Sequence, residues 1–235
     1  MDGTLIDSST LVPTAYAAAV IELGGRAPAA GDVIDAYPLG PPAVLLAHFL
    51  GRPAGPDDLD TYYRHLAACA SRGVRPYPGV RALLAMAARR MPVAVFTGAS
   101  RIAATILLER SGLSPWLDEL VGGDEVARPK PAPDGIIEAC RRLEVAAGEA
   151  AYVGDAAIDM VAAAAGGAFA IAAGWGHQHD PSGPSDLVVR SPRELRDMVA
   201  AAFPRRADRA VGPGGSRVGP GASRVRPSRR RAPRC

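Results

Sequence analysis

Apolar positions recur at helical spacing along 10–25, "TLVPTAYAAAVIELGG", and the run closes on Gly24 and Gly25, a stop signal for a helix. Two further helical runs follow, "PPAVLLAHFLG" at 41–51 and "DLDTYYRHLAACASRG" at 58–73. The second has acidic residues in its first turn and a glycine at its end. No strand pattern interrupts 11–77, so an all-helical block is expected there, and "PYPGV" at 76–80 then breaks the chain.

Beyond 80 the period alternates. "VRALLAMAARR" reads as a helix, "MPVAVFTG" as a short strand running into Gly98, and "SRIAATILLERSG" as a helix. "DELVGG" is a weak strand, and "PDGIIEACRRLE" is a helix with Asp134 placed to cap it. "AAYVGD" is a strand and "DMVAAAAGG" a helix. "AFAIAAG" and "DLVV" are strands, and "SPRELRDMVAAAF" is a last helix opened by Ser191 and Pro192. Such alternation predicts an α/β fold, a Rossmann-like parallel sheet with helices on both faces, into which the helical block is inserted. Ligands of these folds sit at the carboxyl ends of the strands. That rule selects four places: Asp2 onward, Thr97 with Gly98, the stretch 124–130, and Asp155.

At 235 residues the chain has room for one sizeable domain, or a core and a small second unit. The net charge of +3 hides two unlike parts. Residues 203–235 hold ten Arg and one Asp, a local +9, which leaves about −6 on the rest. This segment is rich in Arg, Gly and Pro with an imperfect repeat, "GPGGSRV" then "GPGASRV", and is expected to be disordered. The basic balance therefore belongs to the tail, and it is not taken as a nucleic-acid interface. The longest apolar stretch, "MVAAAAGGAFAIAAGWG", is too short and too weakly apolar to span a membrane. Residues 1–10 are polar and acidic, unlike a signal peptide. Cys69, Cys140 and Cys235 are scattered, which suggests reduced thiols rather than a disulfide framework or a zinc site. A cytoplasmic protein is expected.

The four strand ends carry a consistent chemistry. Asp2, Gly3 and Thr4 offer a carboxylate on a glycine turn. Thr97 offers a hydroxyl just before a helix, whose free N–H groups can seat a phosphate, although a plain strand-to-helix turn would look the same. Lys130, in "RPKPAPD", is the single lysine among 27 basic residues. Lysine is a compact point charge where arginine is a planar fork, so its retention in so Arg-biased a chain marks the position. Asp155 and Asp159, in "YVGDAAIDM", lie four residues apart and are expected on one side of the starting helix. Two carboxylates beside a phosphate seat suit Mg²⁺, a hard cation that takes oxygen ligands. A helix cap plus a solvated acid is the plainer alternative for that pair.

"DGTLIDS", "VFTG", "RPKPAPD" and "YVGDAAID", in that order, resemble the four motifs of the haloacid dehalogenase superfamily. The resemblance covers roughly 1–202, and the helical block resembles the small helical cap of phosphoglycolate phosphatase-like members. It implies a core at 1–10 and 78–202, a cap at 11–77 and a separate tail at 203–235. It implies that Asp2 is the general acid/base and that its backbone carbonyl also reaches Mg²⁺. Gly3 belongs to the same phosphate-binding turn. Thr97 and the N–H of Gly98 would hold phosphoryl oxygens, and Lys130 would neutralise phosphate and nucleophile. Asp155 would bind Mg²⁺ directly, with Asp159 orienting ligands or waters. The family's first motif is Asp-x-Asp-Gly-Thr, whose first Asp forms an aspartyl-phosphate. Met1 stands at the x position, so the nucleophile is expected one residue before it, on an apolar strand also preceding Met1, with an earlier start codon than the one implied here.

The implied activity is Mg²⁺-dependent hydrolysis of a small phosphorylated metabolite by a monomer or homodimer. A phosphomutase and a catalytically inactive phosphate- and Mg²⁺-binding regulator remain open. Trp175, His177 and His179, in "GWGHQHD", are read as an entrance or a surface loop rather than a metal site, for want of a third ligand. Arg101 is balanced between substrate contact and an exposed helical turn, and "YPLGPPA" at 37–43 between a specificity loop and a structural turn. His48 and His65 are read as surface or half-buried helix residues. Because the tail has no apolar pattern with which to pack, removing 203–235 is expected to leave the thermal midpoint unchanged in a melt of the two chains.

Overall fold

A computed structural model describes residues 1–203, and the reading of the Arg-rich tail beyond Phe203 lies outside the described residues. Phe203 itself belongs with the folded part, since its carbonyl accepts a hydrogen bond from Arg90 Nε at 2.8 Å.

The chain opens with a tight turn in which the Met1 carbonyl accepts from the N–H groups of Thr4, Leu5 and Ile6. Strand β1 (Ile6–Asp7) follows. The helical block then comprises α1 (Leu11–Glu22), α2 (Ala30–Ala36), α3 (Pro42–Leu50) and α4 (Pro56–Ser71), with a 3₁₀ turn at Tyr37–Leu39. Helix α2 escapes the periodicity because seven residues are too few to show a stripe. It starts where Asp32 accepts from the Ala29 N–H at 3.0 Å. The expectation of no strand in this region is also corrected: β2 (Arg75–Pro76) pairs antiparallel with β1, Ile6 opposite Pro76. Two residues carry no alternation, so only the partner strand reveals it. Helices α1 and α4 pack through stacked Tyr16 and Tyr62 rings, 4.2 Å between centroids. Tyr63 of α4 lies 2.9 Å from Ser100 Oγ and so ties the block to the sheet layer.

After α5 (Val80–Ala87) come β3 (Ala94–Phe96), α6 (Arg101–Ser111) and β4 (Glu119–Val121). These are followed by α7 (Asp134–Arg142), β5 (Ala151–Gly154) and α8 (Ala157–Gly166). The chain ends in β6 (Phe169–Ala173), β7 (Leu187–Val189) and α9 (Pro192–Ala202). Strand β3 pairs parallel with β4, and β5, β6 and β7 form a second parallel ladder in that order. Alternate residues of one strand serve opposite layers, as the pleat requires. Ala170 and Ala172 of β6 pack with Ile136, Met160 and Ala163 from α7 and α8. Ile171, between them, packs with Leu83 of α5 and Leu195 of α9. Helices therefore cover both faces, which is the expected doubly wound arrangement. Ser191 caps α9 by accepting from the Glu194 N–H at 3.2 Å. Asp134 does not cap α7, contrary to expectation. It is the first helical residue, after Pro133, and its carboxylate pairs with Arg128 at 2.6 Å.

Among the described residues no helix is long and apolar enough to cross a membrane. Cys69 and Cys140 are free, and Cys235 lies outside the described residues.

Gly135 sits where α7 crosses β3, and a Cβ there would stand 2.1 Å from the buried Phe96 ring. Gly135→Ala is expected to cost about 1–3 kcal/mol despite alanine's better helix propensity, because the ring must move in a packed layer. Urea unfolding of the variant measures this, and an unchanged or raised midpoint contradicts the packing.

Candidate active site

The carboxyl ends of β3 and β5 and the opening turn meet below the helical block. Between them lies a cavity of about 80 Å³. The sequence-derived residues Asp2, Thr97, Gly98, Lys130, Asp155 and Asp159 all line it. Gly3 serves it from behind: its φ of +71 turns the chain, and a Cβ there would lie 2.0 Å from Asp155 Oδ2.

Asp155 directly follows β5 and is 4% exposed. Its Oδ1 accepts from the Thr4 hydroxyl at 2.9 Å and its Oδ2 from the Gln178 N–H at 3.1 Å. Gly176 closes the other side, where a Cβ would meet Asp155 Cβ at 2.2 Å. Burial pushes the Asp155 carboxyl above its ordinary range, against the favourable pull of the Met1 amino group and these two donors. The Met1 amino group is buried too, and burial followed by Lys130 holds it below an ordinary amine.

Asp159, in the first turn of α8, faces a different partner from Asp155. It pairs with Lys130 Nζ at 2.6 Å and accepts from the Ala156 N–H at 3.1 Å, with the Tyr152 hydroxyl 3.3 Å away. Burial alone would raise Asp159 and lower Lys130, but their attraction outweighs it, so the carboxyl is lowered and the ammonium raised. Lys130 also lies 5.5 Å from the Phe96 ring centroid. Gly154 lets the pair close, since a Cβ there would stand 2.4 Å from Asp159 Cβ.

Thr97 is buried and its Oγ1 accepts from the Ala99 N–H at 3.2 Å, which shapes the loop into α6. Ser100 rather than Thr97 caps α6, accepting from the Ala103 N–H at 3.3 Å. Asp2 Oδ1 is buried without a hydrogen-bond partner among the described residues. A buried, unpaired carboxylate oxygen is costly unless something cationic or protic meets it. The Asp155 carboxylate beside it is a hard oxygen donor that fits a divalent cation, while the unpaired Asp2 oxygen suits a protic partner. Among the described residues no three His, Cys, Asp or Glu side chains converge on one metal position, so water and substrate oxygens would complete its shell.

The loop "GWGHQHD" reaches the site through Trp175, read from the sequence as an entrance or surface-loop residue, and through Gln178, which the sequence did not single out. Trp175 Nε1 donates to the Thr4 carbonyl at 2.9 Å, and Gln178 uses its backbone N–H on Asp155. His177 meets Tyr77 at 3.4 Å instead. Arg101 turns away to Glu125 at 3.0 Å and does not line the cavity. His65 pairs with Glu22 at 2.7 Å, and His48 meets the Phe49 ring edge to face. Thr4 and Tyr152 lay inside quoted motifs but were given no role, and Gly176 and Gln178 carried no signal of their own.

The chain is thus a doubly wound α/β protein with acidic groups, a buried lysine and a threonine gathered at its strand ends beside a helical block. The family model described as haloacid dehalogenase-like hydrolase matches residues 1–173. The chain is 33% identical over 212 residues to a plasmid-borne phosphoglycolate phosphatase of Cupriavidus necator, covering 86% of this chain and 91% of that one. It is 31% identical over 220 residues to a phosphoglycolate phosphatase of Neisseria meningitidis, covering 87% and 88%. The crystal structure of CbbY from Rhodobacter sphaeroides in complex with phosphate superposes with a TM-score of 0.73 at 26% identity, covering 83% of this chain and 93% of that chain. The chain belongs to the haloacid dehalogenase-like hydrolase family and is similar to its phosphoglycolate phosphatases.

The Lys130–Asp159 pair is buried, with side chains 13% and 6% exposed. Asp159→Asn or Lys130→Met alone is expected to cost about 3–5 kcal/mol by stranding the other charge, and the double variant less than the sum. With the carboxyl lowered and the ammonium raised, the pair's contribution holds from roughly pH 4 to 10 and is lost beyond either end. Denaturant unfolding of all four chains provides the double-mutant cycle, and additive losses would contradict the coupling.

Proposed function

We propose that the protein is a Mg²⁺-dependent phosphomonoesterase acting on small phosphorylated metabolites in the cytoplasm, with helices α1–α4 serving as a cap over the strand ends. The observation that carries this reading is the convergence of Asp2, Thr97, Gly98, Lys130, Asp155 and Asp159 on one cavity. Relatives named as phosphoglycolate phosphatases and a neighbour crystallised with phosphate support it.

The phosphoryl group would rest against Thr97 Oγ1, the Gly98 backbone and Lys130 Nζ, whose charge offsets that of the phosphate. Lys130 keeps its position and its proton because Asp159 and Tyr152 hold it. Asp2, with Oδ1 free and buried, would protonate the departing alkoxide so that the P–O bond to the alcohol breaks without a charged leaving group. In a chain carrying the full Asp-x-Asp-Gly-Thr motif, the first carboxylate forms the new bond to phosphorus. Asp2, now deprotonated, then takes a proton from the water that hydrolyses the aspartyl-phosphate. Asp155 and the Asp2 backbone would hold Mg²⁺, which when bound supplies positive charge for the phosphoryl oxygens.

The test uses the chain extended by an apolar strand ending in Asp before Met1. Asp155→Asn is expected to abolish turnover of an aryl phosphate and to weaken Mg²⁺ binding, because a charged oxygen is lost. The same variant should not lower the metal-free thermal midpoint, since a neutral amide replaces a carboxylate that burial disfavours. Undiminished turnover in Asp155→Asn would overturn the assignment.

A further inference from the structure

The cavity has two unlike walls. The strand-end wall carries the charges, whereas the wall contributed by the helical block is formed by Val12, Tyr16, Tyr37, Pro42, Leu45 and Tyr62. No Arg, Lys or His of that block lines it, and Lys130, already paired with Asp159, is the only side-chain cation lining the cavity among the described residues. The Met1 amino group lies near the carboxylates of the other wall. Tyr37, at the start of the 3₁₀ turn after α2, has a hydroxyl that is buried without any hydrogen-bond partner. Buried hydroxyls without partners are rare, because each gives up its hydrogen bond to water for nothing. The Tyr37 phenol is held far from ionisation, first by burial and then by the Asp2 charge. At any ordinary pH it is therefore a neutral group able to donate one hydrogen bond and accept another.

Resting on the phosphatase reading above, we propose that this wall selects the leaving group. Tyr37 hydrogen-bonds a hydroxyl of an uncharged alcohol, and the esters preferred are those of neutral polyols or sugars rather than of carboxylic acids or bisphosphates. An anionic leaving group placed here would shed its water against Tyr16, Tyr62 and Leu45. It would meet no cation on this wall, so its charge would go uncompensated. A polyol instead satisfies the Tyr37 hydroxyl and brings no charge to be stripped of water against this apolar wall. Specificity of this kind is strong because a site built for a hydroxyl is left with an unpaired polar group when a substrate lacks one.

Binding rather than turnover provides the test, so the chain can be used as it stands. Calorimetric titrations with Mg²⁺ present would compare inorganic phosphate, glycerol 3-phosphate and phosphoglycolate. Glycerol 3-phosphate is expected to bind at least about tenfold more tightly than either of the others, the equivalent of one well-made hydrogen bond. Tyr37→Phe should erase the gap between glycerol 3-phosphate and inorganic phosphate, leave the affinity for inorganic phosphate unchanged, and not lower the thermal midpoint, since the oxygen removed has no partner in the free protein. Equal or tighter binding of phosphoglycolate, or a Tyr37→Phe protein that keeps its full preference for the polyol ester, would overturn the inference while leaving the phosphatase reading intact. Failure of inorganic phosphate itself to bind would remove both.

Discussion

A carboxylate held in a space with no room for a side chain on either flank governs how this molecule is put together. Asp155 directly follows β5, between the backbones of Gly3 and Gly176, and it is satisfied by Thr4 and by Gln178. Three stretches of chain, from the opening turn, from β5 and from the loop after β6, are thus gathered on one buried anion. Burial alone disfavours that anion, so the local structure is shaped around a group that works against stability. Such an arrangement fits a site whose charge is compensated only when ligand arrives.

The second charge cluster behaves differently. Asp159 and Lys130 compensate each other within hydrogen-bonding distance and belong to the stable frame. Lys130 comes from the loop before α7 and Asp159 from α8, so their pair closes the layer of helices against β5 and positions the lysine over the cavity. Two acids four residues apart therefore have opposite tasks. One is buried at the strand end with its oxygens on Thr4 and Gln178, while the other is spent on holding a cation.

The helical block lines the same cavity without adding charge to it. Its aromatic wall and the strand-end wall share one cavity, so a substrate would be read by charge at its phosphate end and by shape and a single hydroxyl at the other. A family reading accounts for the first wall and is silent about the second.

The doubly wound fold was legible in the sequence because strand and helix impose periods that hydrophobic residues must follow, and because ligand sites of such sheets fall at strand ends. That rule places Asp2, Thr97, Lys130 and Asp155 near one another from the order of elements alone. The singular lysine was legible because composition elsewhere avoids it. The short elements α2 and β2 were not, since seven and two residues carry too little periodicity. Nor was the division of labour between Asp155 and Asp159, because sequence spacing gives proximity but not partners. The Gln178 N–H, the Gly176 contact and the unpaired Tyr37 hydroxyl were decided only by tertiary structure. Each is defined by what lies across space from it, and a backbone donor or a glycine's missing side chain leaves no mark in residue type.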